Sequence, residues 1–139
     1  MKQITDSFMI ETHGESLIDI TNHINNLINK KKLNSGIINI SIQHTTASLI
    51  VQENADDFVK EDLISFFNKI IPKDTLFKHN YEGDDDMPAH IKSSLNKTSC
   101  TFSVLKKKLK IGIWQGIFLF EHRNKKRKRE IFFHFIGDW

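Results

Sequence analysis

The sequence contains little cysteine, proline or glycine and no long apolar run. A single cysteine, Cys100, excludes an internal disulfide framework, and two prolines and six glycines among 139 residues exclude a collagen-like or Pro-rich chain. The most apolar stretch, residues 111–120, is interrupted by Gly112 and Gln115, so no segment reaches the ~20 residues of a membrane-spanning helix. The first residues also lack the apolar core of a secretory signal. These absences predict one soluble, cytoplasmic domain over residues 1–139.

The charges that are present nearly balance, but they are unevenly distributed. Twenty Lys and Arg residues against 17 Asp and Glu residues give a net charge of +3. Basic residues are concentrated at 106–110 and 123–129, and acidic residues at 82–86. A basic run is a weak sign of nucleic-acid binding, and no aromatic side chain lies within residues 123–129. We therefore expect a charged hairpin turn there, with neither nucleic acid nor a membrane as partner.

Hydrophobic periodicity predicts the elements of an α+β fold. Apolar residues recur with the helical period in residues 16–33, and residues 54–57 carry side chains suited to cap a second helix that ends at Pro72. A short helix is predicted at 89–95. Strand patterns cover residues 4–12, 38–43, 48–53, 99–105, 109–121 and 130–136. We expect a mostly antiparallel sheet packed with two longer helices and one short helix in a single domain.

Three histidines are candidate metal ligands. His44 follows the predicted strand at 38–43, whereas His79 and His90 flank the acidic segment, and Asp86 precedes His90 by four residues. If the fold brings that strand end beside the acidic segment, imidazoles and carboxylates would suit Zn²⁺, whereas carboxylates alone would suit Mg²⁺. A histidine by itself is more often a hydrogen-bonded structural residue, and this spacing matches no self-sufficient zinc motif.

The segment at residues 113–117 is unusual for the centre of a strand. Gln115 interrupts an apolar run, and a buried amide without partners costs about 1–3 kcal/mol. We therefore expect Gln115 to line a polar pocket and Trp114 to lie in the core or an interface. Gly116 indicates a bulge or a close approach of the backbone.

Four sequence blocks resemble the YjbQ-like family, whose members are often called secondary thiamine-phosphate synthases. The blocks are HTTAS at 44–48 with ENAD at 53–56, residues 79–95, GIWQGI at 112–117 and EHR at 121–123. The similarity covers almost the whole chain. The chain departs from the family pattern at two places where many members have glycine-containing sequences, Asn96-Lys97 and Lys107. Both places lie in predicted turns, so they affect the shape of the loops more than the site.

The resemblance implies an α+β domain assembled as a homotrimer, with a polar pocket that holds a small phosphorylated metabolite. It also implies a divalent metal ion, zinc or magnesium, and an activity that joins a hydroxymethylpyrimidine diphosphate to a thiazole phosphate and releases diphosphate. The family positions are His44, His79 and His90 as metal ligands, with Asn54, Asp86, Trp114 and Gln115 as neighbours.

The leading hypothesis is therefore a thiamine-phosphate synthase-like enzyme. In it, His44, His90, Asp86 and Lys92 are catalytic, and Glu53 joins the family positions Asn54, Trp114 and Gln115 in binding substrate. Lys92 and the metal would neutralise the leaving diphosphate. A second hypothesis is a metal- or metabolite-binding module without turnover, which needs the same pocket. A third is nucleic-acid binding by the basic runs, which salt would weaken steeply.

Overall fold

The computed structural model describes residues 1–139 and contains eight strands and three helices. The strands are β1 (Lys2–His13), β2 (Ser16–Asp19), β3 (Ser35–Ile42), β4 (Ala47–Glu53), β5 (Ser99–Leu105), β6 (Lys108–Leu109), β7 (Gln115–Glu121) and β8 (Lys126–Asp138). The helices are α1 (Thr21–Lys30), α2 (Asp57–Ile70) and α3 (Asp86–Leu95). The structure confirms the α+β class predicted from periodicity.

The strands form two antiparallel sheets. The larger has the order β1-β8-β3-β5-β6, and the smaller has the order β2-β7-β4. Strand β3 lies inside the larger sheet, and its alternating residues Ile38, Ile40 and Ile42 are buried, as expected for a strand with one face toward a core. Ile40 pairs with Phe133 of β8 across the sheet, so the predicted alternation sets the register that builds the core.

The two longer helices bury their apolar faces to different degrees. Ile24 and Ile28 of α1 are buried within the main hydrophobic core. Helix α2 is capped by Asp56, whose side chain accepts a hydrogen bond from the Phe58 N–H, yet it has no fully buried residue. None of the helices is long and apolar enough to cross a membrane.

The first helix and the strand predicted at 109–121 differ most from the prediction. The helix predicted from residue 16 begins at Thr21, because residues 16–19 form β2 against β7 and the Asp19 side chain accepts a hydrogen bond from the Thr21 N–H. The single strand predicted at 109–121 is divided into β6 and β7. The Gln115 side chain accepts a hydrogen bond from the Gly112 N–H at 2.7 Å, which closes a turn between them.

The expectation of a charged hairpin turn across residues 123–129 is also wrong. Strand β8 begins at Lys126, so the second half of the basic run belongs to a strand of the larger sheet. Its side chains therefore alternate between two faces, and Arg129 is buried while Lys128 is exposed.

Candidate metal centre

The acidic segment leads directly into α3, and the start of that helix positions two of the candidate ligands. Helix α3 begins at Asp86, three residues earlier than predicted, and Pro88 is tolerated because the first-turn N–H groups have no partner within a helix. Residues four apart lie on one helix face, and the Asp86 Oδ2 to His90 Nε2 distance is 3.3 Å. The spacing noted in the sequence is therefore a direct contact.

His79 and Glu82 complete the cluster from the preceding loop. His79 Nε2 lies 2.7 Å from Asp86 Oδ2 and 3.1 Å from Glu82 Oε2. One donor atom from each of His79, Glu82, Asp86 and His90 lies within 4.8 Å of the others. Asp86 is buried, the two histidines are half-buried and Glu82 is exposed, so a ligand can approach from the side of the loop.

The donor set and its spacing fit a zinc-type ion. In a tetrahedral site with bonds of about 2.0 Å, neighbouring ligand atoms are about 3.3 Å apart. Three separations within the cluster are 2.7–3.3 Å and none exceeds 4.8 Å, so small side-chain rotations would bring the four donor atoms around an ion. Two imidazole nitrogens suit Zn²⁺ better than Mg²⁺, which prefers oxygen ligands in an octahedron.

Arg123 forms hydrogen bonds with three residues of the acidic segment. Its Nη1 donates to Asp86 Oδ1 at 2.6 Å and its Nε donates to Asp85 Oδ2 at 3.1 Å. Its Nη2 donates to the Glu82 carbonyl oxygen at 2.9 Å. The guanidinium thus holds two carboxylates and one backbone carbonyl of the acidic segment and leaves Asp86 Oδ2 directed at the histidines.

These contacts also set the charge of the site. Burial acts to raise the pKa of the Asp86 carboxyl, but hydrogen bonding with His79 and Glu82 and the charge of Arg123 outweigh it, so the pKa falls below its usual value. Asp85 behaves similarly, because a hydrogen bond from the Asn124 N–H and the Arg123 guanidinium together outweigh the effect of burial on its pKa. Both carboxylates are therefore ionised at neutral pH, as metal binding requires.

A cavity of 190 Å³ adjoins the cluster and shares His79 with it. Its apolar wall is formed by Leu76, Phe77 and Met87, and its polar side chains include Lys73, Thr75, Asn80 and Asp84. A small molecule held at the cluster has room to extend into this space, next to a lysine.

His44 does not join the cluster within the chain. Its Nε2 accepts a hydrogen bond from the Glu130 N–H at 2.9 Å, and its Nδ1 lies 3.5 Å from Arg129 Nη1. Burial and the neighbouring Arg129 lower the pKa of His44 below its usual 6.5, which keeps the imidazole neutral at neutral pH.

Lys92 also lies apart from the cluster, because its side chain leaves α3 in another direction. Its ammonium group donates to Glu15 Oε2 at 2.7 Å and to Asn68 Oδ1 at 2.6 Å, and the side chain is only 1% exposed. The structure therefore places Lys92 in a buried ion pair that connects α2 and α3 to the loop before β2.

The four predicted substrate-binding residues lie together at the far end of the smaller sheet. Glu53 pairs with Gln115 at one end of the β4–β7 ladder, whereas Ala47 pairs with Glu121 at the other. The Asn54 N–H donates to the Trp114 carbonyl oxygen at 3.0 Å. Six residues of strand span about 20 Å, and Arg123 of the metal cluster follows the opposite end.

Because β7 starts late, Trp114 does not occupy the core, which leaves an interface as its expected position, and the Gln115 side chain is not buried. Trp114 is 62% exposed rather than packed in the core. Gln115 is also exposed, and its amide oxygen is used by the Gly112 turn. Both residues therefore lie at an accessible tip of the sheet.

The sequence singles out Glu82 only as part of the acidic segment at 82–86, which suits either a divalent-ion site or a solvated loop, and it gives Arg123 no site role. Glu82 belonged to an acidic segment that a solvated loop also explains, and only the loop conformation brings it to His79. Arg123 lies 37 residues from Asp86 in the chain, so no local spacing indicates the contact. Its place in the EHR block was the one signal available.

Comparison with other proteins agrees with this architecture. The family model described as UPF0047 protein YjbQ-like matches residues 6–138. The chain belongs to this YjbQ-like family. It is 40% identical to a UPF0047 protein of Synechocystis, over 99% of this chain and 94% of that protein. It is 44% identical to a UPF0047 protein of Methanocaldococcus jannaschii, over 94% of this chain and 93% of that protein.

Solved structures of YjbQ-like proteins share the fold. A YjbQ/UPF0047 family protein from Clostridium acetobutylicum superimposes with a TM-score of 0.86 at 33% identity, covering 94% of this chain and 99% of that chain. A YbjQ-like protein of unknown function from Sulfolobus solfataricus has a TM-score of 0.86 at 25% identity, covering 99% of this chain and 100% of that one. The resemblance inferred from the four blocks is thereby confirmed.

Proposed function

We propose that the protein holds a divalent metal ion, preferably Zn²⁺, at His79, Glu82, Asp86 and His90 and uses it to bind a small phosphorylated metabolite. The observation that carries this proposal is the convergence of two imidazoles and two carboxylates with donor atoms within 4.8 Å. The alignment of Asp86 by Arg123 supports it further, because metal ligands are typically oriented by outer hydrogen bonds.

The adjoining cavity supports a phosphorylated ligand. A metal ion bound here would act as a Lewis acid toward a phosphoryl oxygen. In the cavity beside His79, the positive charge of Lys73 can neutralise further negative charge on the ligand. The side chains of Leu76 and Phe77 can contact an apolar ring. Together these features match a ligand with a charged end and a flat or apolar body.

The family resemblance extends the proposal to a reaction that joins a pyrimidine diphosphate to a thiazole phosphate. In that reaction His90 and Asp86 hold the ion, and the side chains of the cavity position the substrate. The roles first considered for His44 and Lys92 need a different geometry, since Glu130 and Glu15 are their present partners.

A metal- or metabolite-binding module without turnover is the second candidate. The arrangement of Lys92 favours it, because the ammonium group that would stabilise a leaving diphosphate is buried in an ion pair with Glu15. Ligand binding without conversion of the pyrimidine and thiazole phosphates would identify this function.

We also propose that the chain assembles as a homotrimer. Large apolar side chains are exposed on α2 and on the tip before β7, including Phe58, Phe66, Ile113 and Trp114, and such side chains are typical of protein interfaces. A mass of three chains in light scattering, reduced by Trp114→Asp, would support the assembly. A monomer at micromolar concentration would contradict it.

The metal content of untagged protein tests the central proposal. We expect about one zinc ion per chain, lost in His90→Ala and retained in His13→Ala, a matched control at an exposed histidine that ends β1 and is not part of the cluster. Absence of bound metal after incubation with both zinc and magnesium would overturn it. Circular dichroism of both variants checks that they remain folded.

Turnover is tested separately with the metal-loaded protein. Formation of thiamine phosphate from the pyrimidine diphosphate and the thiazole phosphate, dependent on His90, would support the synthase reaction. Tight binding of either phosphate without product would assign the protein to the binding class instead.

A further inference from the structure

All three non-glycine residues with a positive φ are lysines. They are Lys32 (φ 54°), Lys106 (φ 51°) and Lys107 (φ 65°). The left-handed region is unfavourable for a residue with a Cβ, and Gly, Asn or Asp usually occupies it. An observed backbone outlier of this kind is a reason to look for a function that the strain serves.

The three lysines lie at one end of the molecule. Lys106 and Lys107 form the two-residue loop between β5 and β6, the pattern of a type I′ turn that normally carries Asn-Gly. The Lys106 N–H donates to Ser35 Oγ at 3.1 Å, and the Lys107 N–H donates to the Asn34 carbonyl oxygen at 2.7 Å. Lys32 lies in the connection between α1 and β3, two residues before Asn34, so these hydrogen bonds hold the two connections side by side.

This turn forms one wall of an open groove. The groove has a volume of 510 Å³ and is lined by Asn25 and Asn29 of α1 together with residues 106–109. Lys106, Lys107 and Lys108 are exposed, and none of them pairs with a carboxylate. Three ammonium groups and two amide side chains thus remain available to a ligand.

We propose that this groove binds a small, multiply charged phosphate anion, such as a diphosphate or triphosphate group. Lysine provides strong, mobile positive charge to phosphate oxygens, and the amides of Asn25 and Asn29 add neutral donors. No aromatic side chain lines the groove, so it offers no surface on which nucleic-acid bases would stack. The site is separate from the metal cluster and does not depend on it.

A structural explanation of the lysines makes the opposite prediction about stability. Positive charge near the C-terminus of α1 stabilises the helix dipole, and in that case removing Lys106 and Lys107 would lower the melting temperature. If the lysines are instead retained for ligand binding in a strained turn, the residues that a type I′ turn prefers should raise it.

The double variant Lys106→Asn/Lys107→Gly tests the proposal, with tripolyphosphate as the probe in calorimetry at low salt. We expect a higher melting temperature and an affinity for tripolyphosphate reduced at least tenfold. The matched control Lys125→Asn/Lys128→Gln removes the same net charge from the other basic run and should retain the affinity of the unmodified protein.

Four results would overturn the proposal. They are failure of the unmodified protein to bind tripolyphosphate, unchanged affinity in the double variant, a lower melting temperature in that variant, and equal loss of affinity in the control. Tighter binding of a DNA duplex than of tripolyphosphate would assign the groove to nucleic acid and would also overturn it. The zinc content of the double variant should be unchanged, which separates this test from that of the metal centre.

Discussion

Arg123 and Asp86 share a hydrogen bond of 2.6 Å between Nη1 and Oδ1, while the second oxygen of the same carboxylate lies 2.7 Å from His79 Nε2. The two oxygens of Asp86 are thus divided between a fixed cation and the candidate ligands. Because the carboxylate is 2% exposed, its orientation is set by Arg123 before any ion binds. This division makes Arg123 a positioning residue of the candidate metal centre.

Arg123→Lys should weaken zinc binding about 10–100-fold, the usual effect of removing an outer-shell partner. Lysine keeps the positive charge, but it lacks the planar guanidinium with its several N–H donors. It therefore cannot donate hydrogen bonds to Asp85, Asp86 and the Glu82 carbonyl oxygen at the same time. Competition with a zinc-binding dye measures the affinity. Arg127→Lys, a half-buried arginine in the same region of the chain, is the control, and equal affinity in the two variants would contradict the role of Arg123.

Lys92→Met should lower stability without affecting zinc binding. The substitution leaves Glu15 Oε2 and Asn68 Oδ1 without their buried donor, which costs about 1–3 kcal/mol in the free energy of unfolding. Urea denaturation measures this, and the double variant with Glu15→Gln should recover part of the loss. A large fall in turnover with unchanged stability would instead assign Lys92 to catalysis.

Glu121→Gln should be among the most destabilising substitutions of a polar residue. Burial acts to raise the pKa of Glu121, but hydrogen bonds with Arg129 and Thr12 outweigh it and hold the pKa below its usual value. Its two oxygens accept from Arg129 at 2.8 and 2.6 Å. Leaving the buried Arg129 without its anion costs about 3–5 kcal/mol, measurable by urea denaturation. Glu130→Gln, at an exposed position nearby, should change stability little.

His122 should make the protein lose stability as the pH falls from neutral. Burial lowers its pKa from 6.5 to about 3, and the charge of Lys92 adds to the effect. In the unfolded chain, His122 therefore takes up a proton near pH 6.5, whereas in the folded chain it stays neutral until about pH 3. The contribution of His122 to stability is complete above pH 6.5 and declines through this window, by about 5 kcal/mol in the limit.

The variant His122→Gln isolates this contribution from that of the carboxylates. Glutamine can retain a hydrogen bond with Ser48, whose Oγ lies 2.9 Å from His122 Nε2, and it does not titrate. We expect the free energy of unfolding, measured in urea at pH 7, 5 and 4, to fall less steeply in the variant. Parallel curves would show that His122 does not contribute to acid sensitivity.

Much of the fold was predictable because its signals are local. The alternation of Ile38, Ile40 and Ile42 predicts a strand without any knowledge of the neighbouring strands. The structure contains this strand as β3, with all three side chains buried. The strand predicted over 109–121 failed because composition does not reveal that the side chain of Gln115 accepts from the Gly112 N–H. Similarly, β2 forms only because β7 supplies a partner for residues 16–19.

The same distinction applies to the site. The sequence established that His79, the acidic residues and His90 lie within one short segment and that Asp86 precedes His90 by four residues. The contact between Asp86 and His90 follows because α3 begins at Asp86 and not at residue 89, where it was predicted. The contacts of Arg123 with Asp86, of His44 with Glu130 and of Lys92 with Glu15 arise only in the folded chain. Those contacts join residues 37, 86 and 77 positions apart, and they depend on how the sheets and helices pack, which no local pattern of side chains encodes.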